Sequence, residues 1–324
     1  MRIAVYVPLL LSLLAPLGAR PLSERCEPRL ATWLLTASSL ILGTASTISL
    51  GLLAITGLIR LPFLAGLGHW SASGARSADP AELSIALVAG LLLGGALLTA
   101  ARMLWRRART LAAAALDAAC MPTRDGLVVV ADEAADAYAL PGLPGRIVVS
   151  TGMLDALHES EHEILLAHER AHLTAHHYAF VALAQLGAAA NPLLRPFATA
   201  VTYTIERWAD ESAAAGTGDR KRVARAVGRA ALAAHHRPAL ARVTDAALGI
   251  LGRRGPLGLR ALGRRGPLAT AGPVPRRVAA LLAPPLGRHP VLTAVTAAVL
   301  AAATLASAEA AHDLHVLLEA VGAW

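Results

Sequence analysis

Residues 31–59 carry no charged side chain. As a helix, this stretch would exceed the roughly 30 Å of hydrocarbon in a bilayer. Three more uncharged apolar runs, Ile3–Ala19, Leu83–Ala101 and Val291–Ala308, approach the same length. Lipid offers no partner for backbone N–H and C=O groups, so each run must satisfy its own as a helix. The expected class is therefore mainly α, a four-helix multi-pass membrane protein. The composition agrees, with 55% apolar residues and a mean hydropathy of +0.52.

Arginine placement predicts an orientation, because basic residues are retained on the cytoplasmic side. Arg20, Arg25 and Arg29 follow the first run, and Arg102, Arg106, Arg107 and Arg109 follow the third. A basic stretch ending at Arg288 precedes the fourth, beyond which come only Glu309, Asp313 and Glu319. The loop after the second run has just Arg60 and Arg76. Both termini are thus expected outside and residues 102–289 in the cytoplasm, with Cys26 and Cys120 as reduced thiols. The expected division is 1–109 with three spans, 110–288 as a cytoplasmic α+β domain, and 289–324 with the fourth span and a short external tail. The net charge of +8 does not by itself imply nucleic acid. Lys221 is the sole lysine, and no interleaved aromatics accompany the arginines. No nucleic-acid partner is expected. Within the basic segment 251–288, Leu-Gly-Arg-Arg-Gly-Pro-Leu occurs at 251–257 and again at 262–268, a flexible stretch suited to anionic headgroups.

The polar chemistry is concentrated in the cytoplasmic region. Gly126–Ala131 and Arg146–Ser150 read as strands, with Pro-Gly turns at 141–142 and 144–145 between them. Ser160–Glu163 reads as a capping box that opens a helix near Glu161 and runs to the break at Asn191-Pro192. A second helix is expected over Pro192–Ala214 and a third over Arg220–Arg237.

The first of these helices contains His168-Glu169-Arg170-Ala171-His172. Positions i and i+4 share a helix face, so both imidazoles point toward one site, the arrangement by which a helix offers two nitrogens to zinc. Glu169 stands beside the first of them, where a carboxylate can act as general base. His176 continues the series but lies about 12 Å along the helix from His168, too far to share one ion. A third ligand must therefore come from another element. On the next helix Glu206 and Asp210 share a face while Glu211 is turned away. Glu206 can complete a His₂Glu site, and Asp210 can orient a ligating histidine.

HExxH followed by ExxAD on the next helix resembles the membrane zinc peptidases of the HtpX-like and antirepressor (BlaR/MecR-type) families. The stretch AYALPGLPGRIVVSTGMLDAL at 137–157 is similar to the strand–turn–strand and helix preceding the zinc helix there. Asn191-Pro192 and Arg277-Val278-Ala279-Ala280-Leu281 also fit. The resemblance spans about residues 120–285, and a protease between spans three and four resembles the antirepressor branch. It implies a zincin-like domain with one zinc ion per chain, held by His168, His172 and Glu206, with Glu169 as general base. Two features depart from that branch. Ala209 stands where a cysteine is frequent, and no β-lactam-binding domain follows the fourth span, so antibiotic sensing is not implied.

The expected activity is membrane-bound zinc endopeptidase action on a protein or peptide at the cytoplasmic face, with regulatory cleavage of one target as the leading role. HtpX-like quality control of membrane proteins is the alternative, and a zinc-stapled adaptor without catalysis is the alternative from another class. Arg146–Ser150 is the expected edge strand for a bound peptide.

Overall fold

The computed structural model describes residues 4–58, 80–123, 125–235, 248–249 and 272–320. The duplicated basic heptapeptide, the loop bearing Arg60 and Arg76, and the end of the third expected cytoplasmic helix lie outside the described residues.

Four helices among these residues are long and apolar enough to cross a membrane. They are α1 (Val7–Arg25), α2 (Pro28–Leu58), α3 (Pro80–Cys120) and the last helix, α10 (Pro290–Ala320). Their positions follow the four apolar runs, but α3 continues nineteen residues past the expected end at Ala101. No breaker follows Ala101, and the alanines at 112–115 and 118–119 are strong helix formers. The extension has a packing role. Ala114 and Ala118 are buried against Val128, Leu140 and Val148 of the sheet.

That sheet contains β1 (Leu127–Val130), β2 (Ala137–Leu140), β3 (Arg146–Ser150) and β4 (Leu248–Gly249), in the order β1-β3-β2-β4. β3 pairs in parallel with β1 (Leu127 opposite Ile147) and antiparallel with β2 (Ala137 opposite Val149). The expectation of β3 as a peptide-binding edge is therefore overturned. Its backbone groups are taken on both sides, and Ile147–Ser150 are buried. A strand paired on both sides has no free edge to offer a peptide, and the run of four buried residues marks a strand covered on both faces.

After β3 come α4 (Thr151–Ala156), α5 (Glu159–Thr174), α6 (His177–Ala190), a 3-10 turn (Pro192–Leu194), α7 (Arg195–Thr217), α8 (Arg220–His235) and α9 (Pro273–Leu282). The helix expected from Glu161 to Asn191 is two helices. It starts two residues earlier, where the His158 N–H donates to the Glu161 carboxylate at 3.1 Å. It breaks at His176, which adopts a left-handed conformation (φ 52°, ψ 43°).

The break turns α6 against the membrane-length helices. Phe180, Val181 and Ala184 of α6 and Phe197, Val201 and Ile205 of α7 share one apolar core with Leu35 and Leu42 of α2 and Ala15 and Ala19 of α1. The α2–α6 seam is very close. A Cβ on Gly187 would lie 2.2 Å from the Ser39 carbonyl oxygen, so no side chain fits there. Polar groups in the seam pair with one another. Ser39 Oγ donates to Ala184 O (2.8 Å) and, at the end of α6, Asn191 Nδ2 to Ser46 Oγ (3.0 Å); between α2 and α7, Thr32 Oγ1 donates to Thr204 Oγ1 (2.9 Å).

Candidate metal centre

Helices α5 and α7 pack face to face, which brings two distant stretches of sequence to one point. His168 and His172 lie on α5 with their Nε2 atoms 3.2 Å apart. Glu206 on α7 closes the triangle, with Oε2 3.7 Å from His168 Nε2 and Oε1 3.6 Å from His172 Nε2. All three are buried. Four ligands about 2.05 Å from a zinc ion would be separated by about 3.3 Å; the two nitrogens have about that spacing, and each has one Glu206 oxygen slightly beyond it.

The charge balance also fits a divalent cation. Glu169, Glu206 and Asp210 are three buried carboxylates, and Arg277 is the one buried guanidinium among them. With the three carboxylates ionised and the imidazoles neutral, as metal ligation requires, the cluster would carry two negative charges, which a divalent cation balances. Both oxygens of Glu169 are buried without a hydrogen-bond partner. Burial pushes this carboxyl up to about 8, His168 pulls it down and Glu206 adds to the rise.

Asp210 stands behind the first histidine, with Oδ1 3.1 Å from His168 Nδ1. Arg277 of α9 holds both acidic side chains of α7. Its Nε donates to Asp210 Oδ2 (2.8 Å), Nη2 to Asp210 Oδ1 (2.6 Å), and Nη1 pairs with Glu206 Oε2 (2.8 Å). Burial acts against ionisation of both carboxyls, but Arg277 and His168 outweigh it and hold them below their usual range. Burial would likewise lower His168, but Asp210 and Glu206 raise it to about 9. His172 behaves in the opposite way, kept neutral well below its ordinary value by burial, with Glu206 opposing.

A further histidine joins this arrangement. His177, the first residue of α6, places Nδ1 2.9 Å from His172 Nδ1 and packs its ring on Trp208 at 4.7 Å between centroids. It is fully buried, and burial lowers it to about 3. The nitrogen pair fixes the second ring of the motif from behind, as Asp210 does the first. A reading of one unbroken helix points to His176 at i+4, whereas the left-handed turn exposes His176 and brings in its neighbour. Arg277 was legible only as part of the Arg277–Leu281 pattern, since nothing local connects it to α7.

The other candidates fall outside the cluster. Glu211 pairs with Arg220 at the surface end of α7. His158 is exposed, and half-buried His162 bonds the Leu154 carbonyl at 2.9 Å. Tyr203 faces Arg207 and Arg276.

Residues 100–189 match the model of Peptidase family M48. The matched stretch takes in the end of α3, β1 to β3, and helices α4 to α6, including His168, Glu169 and His172. Glu206, Asp210 and Arg277 lie beyond it. No curated protein and no solved structure matches the chain. The match supports a metallopeptidase, and the four long apolar helices support a membrane protein.

Proposed function

We propose that this chain is a membrane-bound zinc endopeptidase, with His168, His172 and Glu206 as metal ligands and Glu169 as general base. The observation that carries this reading is the buried His168–His172–Glu206 triangle with an unpartnered carboxylate beside it. A zinc ion held there would supply a Lewis acid to polarise a peptide carbonyl and acidify a water. Glu169 takes the proton of the attacking water and delivers it to the departing amine. Asp210 orients His168, His177 orients His172, and Arg277 keeps the two acids of α7 ionised and in place. A structural zinc site would have no use for Glu169, which favours catalysis over the adaptor reading.

On this proposal the peptidase side of the molecule faces the cytoplasm, as the arginine placement predicts, and the substrate is a protein segment close to the membrane. We place the chain nearest the antirepressor branch, with regulated cleavage of one target as its role. The test compares new peptide termini in cells carrying the wild type or Glu169→Gln. A few fragments from one regulator support the proposal. Fragments from many damaged membrane proteins transfer it to quality control, and identical termini with both proteins expressed reject peptidase activity. His172→Ala and Glu206→Ala should each lose the metal. Full metal content and activity in either would overturn the ligand set.

A further inference from the structure

A second polar site, half open to solvent, lies on the neighbouring face of α7. Here a cavity of about 290 Å³ opens between the end of α1, the middle of α7 and α9. Arg20, Arg207 and Arg276 line it together with Tyr203, and Glu24 is the one carboxylate in its wall. Both Arg20 Nε and Arg276 Nη2 donate to the same Glu24 oxygen, each at 2.9 Å. Two guanidiniums share that carboxylate and the third, Arg207, does not touch it, so the wall is left with two positive charges in excess.

Arg207 is the most informative of the three. It is only 4% exposed, spends one Nη1 donor on the Ser23 carbonyl (3.1 Å), and its Nε has no hydrogen-bond partner. A buried guanidinium with an unused donor is costly unless an acceptor reaches it. The Arg276 guanidinium lies 4.3 Å from the ring centre of Tyr203, which lines the same cavity. Planar forks converging from three helices suit an oxyanion with several oxygens, which phosphate provides and a single carboxylate does not.

We propose that this cavity binds a phosphate group, and that the phosphate is the headgroup of an anionic membrane lipid. The location favours the lipid source. Arg20 and Glu24 close the polar end of α1, directly after an uncharged apolar run, where a basic pocket between membrane helices meets headgroups. The volume is about ten times the share of one water, enough for a glycerophosphate. This source rests on the reading that α1 lies in a bilayer, while the anion site itself does not. An occupied pocket clamps α1 to α7 and α9, the two helices that bear Glu206, Asp210 and Arg277.

The test uses the full chain in nanodiscs of mixed phosphatidylglycerol and phosphatidylcholine, followed by native mass spectrometry of the lipid retained after extraction. The wild type should retain phosphatidylglycerol in preference to phosphatidylcholine. Each lost charge-assisted contact should reduce that preference about tenfold. Arg207→Gln is the direct variant. Arg20→Gln/Arg276→Gln is the companion, since both side chains are partly exposed and their loss spares the fold. Arg29→Gln, an exposed arginine that does not line the cavity, should retain the wild-type preference. Equal retention of the two lipids, or an unchanged preference in the double variant, overturns the proposal. Displacement of the lipid by millimolar inorganic phosphate would support the anion site and assign it to free phosphate. Insensitivity to phosphate would assign it to the lipid. Chain that fails to enter nanodiscs at all would overturn the membrane reading, and phosphate binding in detergent would then report on the anion site alone.

Discussion

The metal centre and the α2–α6 seam are both buried, and both depend on where α6 turns, yet opposite physics holds them. At the metal centre, charge is concentrated. Two carboxylates, one guanidinium and three imidazoles contact one another directly, with the Glu169 carboxyl buried beside them. In the seam charge is absent, and the helices meet because glycine lets backbone touch backbone. A membrane protein gains little from burying one apolar surface against another in lipid, so close packing and paired hydroxyls must supply the adhesion. The centre needs every partner present, whereas the seam needs a side chain absent.

Removing one partner from the centre should therefore have the largest effect. Arg277→Met leaves Glu206 and Asp210 buried without their counter-charge. Breaking such a pair costs about 3–5 kcal/mol. The variant should melt far below the wild type in detergent and bind zinc more weakly by calorimetry. A melting point within a degree or two of wild type would mean that the network does not carry the fold.

Adding a side chain to the seam should have the next effect. Gly187→Leu forces α6 away from Ser39, an overpacking that costs at least about 1–3 kcal/mol. Its melting point should fall, while Gly18→Leu, with open space around it, should melt as the wild type does. If both glycine variants behave alike, the close approach is not a stabilising feature.

A smaller change separates orientation from stability. His177→Phe keeps a ring against Trp208 and removes the nitrogen facing His172. Loss of such an orienting partner lowers metal affinity about 10–100-fold. Metal competition should show that loss with little shift in melting, and unchanged affinity would leave His177 as packing alone.

The mildest perturbation is pH. In chelated protein His168 is raised to about 9 from 6.5 and Glu169 to about 8 from 4.5. Both groups bind their proton more tightly folded than unfolded. Their contribution is fully present below the unfolded values and is lost as pH rises through about 8–9. His172 and His177, which burial keeps neutral when folded, act the other way up to their unfolded value, so the melting point of chelated protein should fall between about pH 6.5 and pH 9.5. Bound zinc displaces the His168 proton and should flatten that fall, whereas the seam has no group that titrates in this window. A fall of the same size with and without zinc would place the titrating groups elsewhere.

Several features of this molecule were determined by sequence alone because their physics is local. Uncharged runs must become helices in lipid, so the four long helices were legible to within a few residues at most of their ends. An i, i+4 spacing places His168 with His172 and Glu206 with Asp210 whatever surrounds them, since the helix sets it. Other features required the tertiary structure. Strand β3 lies inside the sheet because β1 and β2 flank it, and short apolar runs do not specify their neighbours. The left-handed His176 depends on α6 finding its place against α2, not on any property of histidine. Arg277 sits 67 residues from Asp210 along the chain, and the pair forms only when α9 docks on α7. Charges that distant in sequence meet through packing, and packing is a property of the whole chain.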